Sequence, residues 1–249
     1  MKTRLDQALV SRGIFKSRSQ AANYIKLGKV SVNDEIELSS SRLVVDEDIL
    51  KMVGDRAFVS RAAHKLEAAS KEFKLLYRGK TILDVGSSTG GFTEYALLSG
   101  AERVFAVDVG SNQMDRDLAL DPRIELHENT DIRDVGKQGS NKAVIIPFSP
   151  DIIVADVSFI SLTKILDSVA ELMNKDSILV AMCKPQFEAR ESGFKHKGVI
   201  KNNNLRRKIL ADFEIWLKPR FLLLAKADSQ ILGASGNQER FYLLKKLAK

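Results

Sequence analysis

Two apolar stretches of this 249-residue chain end in residues that could bind a nucleotide-like ligand. The first, Ile82–Val85, ends at Gly86 and leads through a glycine-containing turn into a predicted helix. The second ends about twenty residues later at Asp108, the spacing that separates a nucleotide-binding turn from its ribose-binding acid. Glycine lets a ligand approach the backbone, and the helix start offers free N–H groups. The pattern predicts a cofactor site, although a glycine turn can also be no more than a tight turn.

The chemistry of the turn narrows the choice of cofactor. It lacks the G-x-G-x-x-G pattern and the Lys-Ser/Thr of a phosphate-binding loop, which argues against NAD and ATP. A turn without these features suits S-adenosylmethionine, which has a ribose and an adenine but no phosphate. The residues predicted to bind it are Asp84, Gly86, Ser87, Ser88, Thr89, Gly90, Gly91, Phe92, Thr93, Asp108, Val109, Asp131, Ile132 and Asp156.

Charged residues also end two later apolar strands, where a doubly wound sheet binds its ligands. Asp156 follows the strand 151–155, and Lys184 follows the strand 177–183. Asp156 could instead be a structural cap of its turn. A lysine that closes a fully apolar strand is rarely solvated freely. Because desolvation favours the neutral amine, Lys184 is a candidate general base, whereas Cys183 is interpreted as a small core residue.

Strands that alternate with helices predict the elements that position these residues. The pattern indicates an α/β fold, a Rossmann-like parallel sheet of seven strands that is covered on both faces. The predicted strands are 81–85, 103–107, 123–127, 151–156, 177–183, 220–227 and 240–246. One predicted helix begins near residue 61, and four others lie near 91–99, 112–119, 161–173 and 202–216.

Composition limits the class of protein. The formal net charge is +7 and the pI is about 9.4, which favours a polyanionic partner, although a basic surface can simply be solvated. The single cysteine excludes an internal disulfide and fits a reducing compartment. The N-terminus lacks the apolar core of a signal peptide, and no apolar run approaches the roughly 20 residues of a membrane span. We therefore expect a cytoplasmic protein that is not stably inserted in a membrane.

Residues 1–53 have the pattern of a small separate α+β module, followed by a linker at 54–60 and a main domain at 61–249. Apolar residues at helical spacing predict two helices, the second capped by Ser17, and alternation after Gly28 predicts a hairpin that turns at Asn33-Asp34. Basic residues dominate the helical part, which could bind a phosphate backbone or be a solvated helix face. The basic residues singled out in this region are Arg4, Arg12, Lys16, Arg18, Lys26 and Lys29, together with Arg61 after the linker.

The first fifty residues resemble the RNA-binding domain named after ribosomal protein S4. The matching positions are Arg4-Leu5-Asp6, Leu9, Arg12-Gly13, Ser17-Arg18-Ser19, Ala21, Ile25, Gly28, Val30, Val32 and Asn33. That family uses its basic helices to bind structured RNA. The resemblance therefore implies RNA binding by this module.

Four charged residues resemble, in order and local setting, the K-D-K-E set of the FtsJ-like ribose 2′-O-methyltransferases. They are Lys65, Asp156, Lys184 and Glu239. The surrounding segments are more similar still to the TlyA family, RNA 2′-O-methyltransferases that are also labelled haemolysins. These segments are 59–61 with 65–66, then 84–93, 106–110, 156–162 and 184–188, and finally 236–237 with Glu239. On its own, Lys65 would be interpreted as an ordinary surface lysine.

The resemblance implies an in-line transfer of the sulfonium methyl group to a ribose 2′-hydroxyl, without a metal. Lys184 would remove the hydroxyl proton, Asp156 would orient Lys184, and Lys65 and Glu239 would position the ribose. Because the donor is already activated, orientation should supply much of the rate. The family acts on cytidine in ribosomal RNA, so ribosomal RNA or ribosomal subunits are the implied partners. Asp131 stands where the family usually has asparagine, and either side chain can accept a bond from the adenine amino group.

Three further interpretations remain open. The stretch 193–208 contains six Lys/Arg and no acid, so it could be an RNA surface beside the site or a solvated helix start. Its candidate RNA ligands are Lys195, Lys197, Arg206 and Arg207. The haemolysin label raises a membrane-active protein as an alternative, and a non-catalytic RNA-binding assembly factor is another. The family pattern also has glycine where this chain has Ala62-Ala63, which would stiffen the start of the helix.

Overall fold

The computed structural model describes residues 2–54, 57–191, 193, 198–233 and 235–247. They belong to two compact units, Met1–Arg61 and Ala62–Lys249. Within these described ranges, no helix is both long enough and apolar enough to cross a membrane.

The first unit is a small α+β fold around one apolar core. Its elements are β1 (Thr3–Arg4), α1 (Leu5–Ser11), α2 (Arg18–Lys26), β2 (Val30–Val32), β3 (Glu35–Ile36), β4 (Leu43–Val44) and β5 (Leu50–Met52). Antiparallel pairing gives a three-stranded sheet in the order β3-β2-β5 and a separate β1-β4 pair. The Ser17 hydroxyl caps α2 by accepting the Gln20 N–H at 3.2 Å. The predicted hairpin turn is confirmed, since Asn33 and Asp34 both adopt positive φ.

The second unit alternates strands and helices. Its helices are α3 (Arg61–Phe73), α4 (Gly91–Leu98), α5 (Arg116–Ala119), α6 (Leu166–Leu172), α7 (Pro185–Glu191) and α8 (Asn203–Leu217), with short 3-10 turns at Ile132–Asp134 and Leu162–Lys164. Its strands are β6 (Thr81–Val85), β7 (Arg103–Val107), β8 (Ile124–His127), β9 (Val135–Lys137), β10 (Val144–Ile146), β11 (Ile152–Ala155), β12 (Ile178–Cys183), β13 (Phe221–Asp228) and β14 (Arg240–Lys246).

Seven of these strands form one sheet in the order β13-β14-β12-β11-β6-β7-β8, which confirms the predicted seven-stranded fold. The strands from β12 to β8 in that order are parallel to their neighbours. The prediction of a parallel sheet is wrong for β14, which is antiparallel to both β12 and β13. The short connection between β13 and β14 suits an antiparallel pair, since parallel strands need a longer crossover, usually with a helix. The chain proceeds from β6 to β7 and β8, then returns to the other side of β6 as β11. This reversal of strand order opens a crevice at the carboxyl ends of the strands, which is where ligands bind in such sheets.

Alternating side chains divide the strands between two cores. Leu83, Phe105 and Ile153 pack with α6 and α8 on one face, whereas Val104 and Val154 pack with α3 and α4 on the other. Strands that are buried on both faces read as continuous apolar runs. This explains why their positions could be predicted to within about one residue.

Two predicted helices are shorter than expected. The helix predicted at 112–119 contains only α5, because Glu128 accepts the backbone N–H groups of residues 112–114 and holds them outside a helix. The helix predicted at 161–173 divides into a 3-10 turn and α6, with a break at Ile165. The helix α7 and the small parallel pair β9-β10 were not predicted.

Candidate active site

Three of the four predicted catalytic residues leave the sheet on the face that α3 and α4 cover. Met182, Phe241 and Val154 point into the core on that face. Because side chains alternate along a strand, the residues two positions away have the same initial orientation. These residues are Lys184, Glu239 and Asp156. The pairing of Cys183 with Arg240 brings Lys184 beside Glu239, one step further along the two strands. Cys183 itself points to the opposite face and is fully buried, as predicted.

The four residues form two ion pairs. Lys65 Nζ lies 2.5 Å from Glu239 Oε2, and Lys184 Nζ lies 2.6 Å from Asp156 Oδ1. The Lys184 ammonium also donates to Ser158 Oγ at 2.7 Å. Each of the four side chains is at most 15% exposed, so Lys65 is not the surface lysine that its helix alone would indicate. Removing an ion from water costs roughly several kcal/mol of free energy, which the attraction within a buried pair need not recover. Two buried pairs are therefore stronger evidence for a functional site than for a contribution to stability.

A cleft of about 290 Å³ opens beside the pair of Lys184 and Asp156. It lies where the strand order reverses, between the ends of β6, β7 and β11. Its walls combine apolar and oxygen-bearing side chains: Val85, Gly86, Ser88, Val107, Asp108, Val109, Gln113, Thr130, Asp131, Ile132, Asp156, Val157, Ser158, Phe159, Ile160 and Ile165. A pocket of this size and mixed lining fits a nucleoside-sized ligand.

Gly86 is where the glycine turn and Asp156 meet. Its φ of +83° is in the left-handed region, and a Cβ at this position would lie 2.8 Å from the Asp156 carbonyl oxygen. A side chain here would therefore strain the backbone and separate the ends of β6 and β11. Because it has no side chain, Gly86 lets the predicted cofactor turn pack directly against the backbone of Asp156, the predicted catalytic acid.

Asp108 organises the cleft from the end of β7. Its carboxylate accepts the Ser88 N–H at 2.8 Å and the Gly110 N–H at 2.7 Å. It is 8% exposed and lines the cleft, so it could also accept bonds from ribose hydroxyls. Asp131, the predicted adenine ligand, lines the same cleft but accepts a two-pronged bond from Arg133, at 2.9 and 2.6 Å. The Arg133 guanidinium lowers the pKa of the Asp131 carboxyl.

Asp84 is fully buried behind the turn. Thr93 Oγ1 donates to its Oδ2 at 2.6 Å, and burial raises the pKa of Asp84 to about 7. Two buried oxygens, Asp84 Oδ1 and Ser87 Oγ, accept no hydrogen bond from the described residues. The carboxylates that line the cleft itself are those of Asp108, Asp131 and Asp156. This set fits S-adenosylmethionine, whose ribose hydroxyls, amino groups and positive sulfur need acceptors and negative charge.

The sequence did not identify several residues of the cleft. Gln113 bridges its mouth, since Ser88 Oγ donates to Gln113 Oε1 at 3.1 Å and Gln113 Nε2 lies 3.4 Å from Asp108 Oδ1. Phe159 is 84% exposed, although it is aromatic, and it has a φ of +67°. Positive φ is uncommon for such a residue and marks local strain. No periodic pattern in the sequence predicts the contacts of Gln113 or the backbone conformation of Phe159. Phe159 does lie in the segment 156–162, which resembles the TlyA family, and Gln113 follows the matching segment 106–110 by three residues.

Several predicted RNA ligands of the first unit are held by other protein groups. Arg4 and Arg18 both donate to Asp6, at 3.1 and 3.3 Å. The Arg12 guanidinium donates to the backbone carbonyls of Val45, Asp46 and Asp48, at 2.8, 3.2 and 2.5 Å. These arginines therefore support the fold of the unit as well as its positive charge. Lys16 and Lys26 are exposed, and Lys29 is half-buried.

The predicted RNA ligands of the second unit differ in the same way. Arg206 donates to Asp228 Oδ1 at 2.6 Å and to the Gln238 carbonyl at 3.1 Å, so it supports the segment that carries Glu239. Arg207 is exposed beside it on α8. Arg61, the last residue of the first unit, opens α3 and is half-buried. Lys195 and Lys197 lie outside the described residues.

Known proteins are similar to this chain over nearly its whole length. The model of the FtsJ-like methyltransferase family matches residues 58–246, and that of the S4 domain matches residues 3–50. Hemolysin A of Brachyspira hyodysenteriae is 38% identical over 237 residues, which are 95% of this chain and 97% of the relative. The 16S/23S rRNA (cytidine-2′-O)-methyltransferase TlyA of Mycobacterium tuberculosis is 37% identical over 247 residues, which are 98% of this chain and 90% of the relative.

A solved structure agrees with these sequence matches. A provisionally named hemolysin from Streptococcus thermophilus has a TM-score of 0.73 and 32% identity, with 100% of this chain and 90% of that chain covered. The family match spans the cleft, both ion pairs and the seven-stranded sheet. This chain is therefore a member of the FtsJ-like methyltransferase family that carries an S4 domain in its N-terminal part.

Proposed function

We propose that the protein methylates the 2′-hydroxyl of a ribose in ribosomal RNA, with cytidine as the acceptor nucleotide and S-adenosylmethionine as the methyl donor. One observation carries this proposal. The ion pair of Lys184 and Asp156 stands at the edge of the acceptor-rich cleft, because Asp156 and Ser158 line the cleft and both contact Lys184. The second pair, Lys65 and Glu239, lies beside Lys184 at the neighbouring strand end. The name of the M. tuberculosis relative, an rRNA (cytidine-2′-O)-methyltransferase, supports the choice of acceptor.

The cleft would hold the cofactor by complementary polarity. S-adenosylmethionine supplies an electrophilic methyl group on a positively charged sulfur. Asp108 would accept bonds from the ribose hydroxyls, and Asp131 with Ile132 would contact the adenine. Val109 is 71% exposed on the cleft wall and offers an apolar surface to the adenine ring. The backbone N–H groups of the turn from Gly86 to Thr93 would orient the rest of the molecule.

The ion pairs would prepare the acceptor. A 2′-hydroxyl is a poor nucleophile until its proton is removed, and a positioned base contributes roughly 10²–10⁴-fold to such a step. Lys184 would remove that proton in its neutral form, held in place by Asp156 and Ser158. After each transfer, Lys184 would release the proton that it has taken up to solvent. Lys65 and Glu239 would position the ribose, so that the oxygen, the methyl group and the sulfur lie in line.

RNA recognition would be divided between the two parts of the chain. Residues 1–53 would bind the RNA, residues 54–60 would act as a linker, and residues 61–249 would carry out catalysis. The amines of Lys26 and Lys29 hold no carboxylate of the described residues, so they are better placed to meet phosphates than the paired arginines. Phe159 would offer its exposed ring to a base at the mouth of the cleft, since aromatic rings stack on bases regardless of sequence. Ribosomal subunits as substrates imply a cytoplasmic reaction.

The direct test is methyl transfer to purified ribosomal subunits from cells that lack the protein. The purified chain is incubated with each subunit and with S-adenosylmethionine labelled in its methyl group. The modified nucleotides are then mapped by primer extension and mass spectrometry. We expect label at a cytidine of one or both subunits. Absence of label from both subunits and from their free RNAs would contradict the proposal.

The names of two similar proteins favour a second candidate, a membrane-active hemolysin. Dye release from liposomes tests it, with the purified wild type and the Lys184→Ala variant side by side. Release that is equal in both proteins would support membrane activity independent of the site. If neither protein releases dye while the wild type methylates RNA, the hemolysin function is ruled out for the purified protein.

A further inference from the structure

A buried glutamate joins the two segments that carry the pair of Lys184 and Asp156. Glu188 lies on α7, one helical turn after Lys184, and is 2% exposed. Its carboxylate accepts the Leu162 N–H at 2.9 Å and the hydroxyl of Ser161. Ser161 is itself 4% exposed. Both contacts lie at the far end of the loop that begins with Asp156, so the carboxylate connects that loop to α7.

These contacts close a ring around the pair. The loop 156–162 contributes Asp156 and Ser158, both of which hold the Lys184 ammonium. The segment 184–188 contributes Lys184 at one end and Glu188 at the other. The loop is therefore fixed to this segment at two points, the ion pair in front and the Glu188 carboxylate behind it.

The loop between these two points needs such support. Phe159 adopts a φ of +67°, a conformation that a bulky residue adopts only under constraint. Its ring also contacts the Phe187 ring, with centroids 5.6 Å apart. Residues 157–160 line the cofactor cleft, so the same loop shapes the cleft and carries Asp156. A shift of the loop would change both.

We propose that Glu188 is a positioning residue, whose bonds to Ser161 and Leu162 hold Asp156 and Ser158 where they orient Lys184. This proposal rests on the proposed function, because one of its tests measures the rate of RNA methylation. Glu188 does not contact the reacting atoms; it acts through the loop. Small displacements of catalytic groups have large effects, since a misplacement of about 1 Å can cost about 10²-fold in rate.

Four variants separate positioning from general stability. Glu188→Ala removes both bonds. Glu188→Gln keeps them, because its amide oxygen can accept the Leu162 N–H and its amide nitrogen can donate to Ser161 Oγ. Ser161→Ala removes the bond to Glu188 and, with it, the contacts of Ser161 Oγ with the Thr163 N–H and the Thr163 hydroxyl. Ser177→Ala is the matched control, since Ser177 is also buried and donates to the Pro150 carbonyl at 2.6 Å, but at the opposite end of β12.

The measurements are kcat and KM with ribosomal RNA, melting temperature, and hydrogen exchange of the peptide that covers 156–162. For Glu188→Ala we expect kcat to fall by about 10- to 100-fold and exchange of that peptide to accelerate. Ser161→Ala should show smaller changes of the same kind, and Glu188→Gln should stay within about threefold of the wild type. Ser177→Ala should lower the melting temperature and leave kcat and the loop exchange unchanged.

The proposal is overturned if the loss in Glu188→Ala matches that of Ser177→Ala in every readout, or if Glu188→Gln is as impaired as Glu188→Ala. If Glu188→Ala does not fold, Ser161→Ala against Ser177→Ala decides the matter. A wild type that does not methylate RNA would contradict the proposed function instead. The exchange of the loop peptide would still test Glu188 in that case, because it needs no substrate.

Discussion

Lys65 and Glu239 are 174 positions apart in the chain, and their charged atoms lie 2.5 Å apart. The contact joins α3, near the start of the methyltransferase domain, to the residue that precedes its last strand. Gly233 packs against the same carboxylate, since a Cβ there would lie 2.6 Å from Glu239 Oε1. The pair therefore forms only when α3 and the segment before the last strand are both in place. It adds a second buried cation and anion at the end of the sheet that holds Lys184 and Asp156.

Replacement of Lys184 tests the assignment of the base. We expect Lys184→Ala to lose methyl transfer by about 10²–10⁴-fold, because the 2′-hydroxyl then has no positioned base. Cofactor affinity should change little, as measured by isothermal titration calorimetry. Lys184→Arg is the matched variant, since it keeps the positive charge beside Asp156 but does not lose a proton at ordinary pH. Transfer by Lys184→Arg at the wild-type rate would show that charge, and not proton removal, is the role of this residue.

Replacement of Asp108 tests the cofactor cleft. Its carboxylate is the predicted ribose ligand and also accepts two backbone N–H groups. Loss of charge-assisted bonds of this kind should weaken cofactor binding in Asp108→Ala by about 10- to 100-fold. Asp121→Ala is the control, because Asp121 is an acid of the same domain whose contacts are with Arg123 outside the cleft. Equal affinities of the two variants in calorimetry would remove Asp108 from the cofactor site.

The buried Asp84 predicts how stability changes with pH. Burial raises its pKa from the ordinary 3.8 to about 7 in the folded state. A group with a raised pKa stabilises the fold at low pH, and this contribution is lost progressively as the pH rises from about 4 to about 7. Asp84→Asn does not titrate. The free energy of unfolding of the wild type should therefore fall relative to the variant across that window, by at most about 4 kcal/mol, and the difference should level off above it.

Urea unfolding at a series of pH values measures this difference. The amide that replaces the carboxylate in the Asp84→Asn variant keeps an oxygen that can accept from Thr93, so the comparison isolates the charge. A wild-type-minus-variant difference that does not change between about pH 4 and about pH 8 would mean that Asp84 is already ionised in the folded protein.

The first unit offers a paired test of RNA contacts. Lys26 is exposed on α2, whereas Arg12 donates three bonds to backbone carbonyls. We expect Lys26→Gln to lower RNA affinity, to reduce the slope of log K against log salt by about one, and to leave the melting temperature unchanged. Arg12→Gln should lower the melting temperature of the unit, because three carbonyls lose their donor. A lower melting temperature in Lys26→Gln, together with an unchanged melting temperature in Arg12→Gln, would contradict the structure.

The centre of the sheet could be predicted from the sequence because its strands are buried on both faces. Val104–Val107 and Ile152–Ala155 are apolar throughout, and the residues that follow them carry the polar atoms of the site. The order of these strands along the chain, with the acids and the lysine at their ends, was enough to indicate a cofactor crevice. The catalytic set itself required the resemblance to a family.

Contacts between distant residues could not be predicted. Glu128 holds residues 112–114 out of a helix, and no local pattern reveals a carboxylate that reaches back from the end of the next strand. The burial of Lys65 depends in the same way on Glu239. The start of α7 did carry a local signal, since Pro185 stands at its first position, where proline is favoured.

The position of the transferred methyl group tests the account most directly. Ribosomal RNA methylated by the purified protein with labelled S-adenosylmethionine is hydrolysed in alkali, which cleaves after every ribose with a free 2′-hydroxyl. A 2′-O-methyl group blocks that cleavage, so we predict label in an alkali-resistant dinucleotide whose 5′ residue is cytidine. Label in a mononucleotide would mean that a base is methylated, and it would contradict the assignment of Lys184 as the base that acts on a ribose hydroxyl.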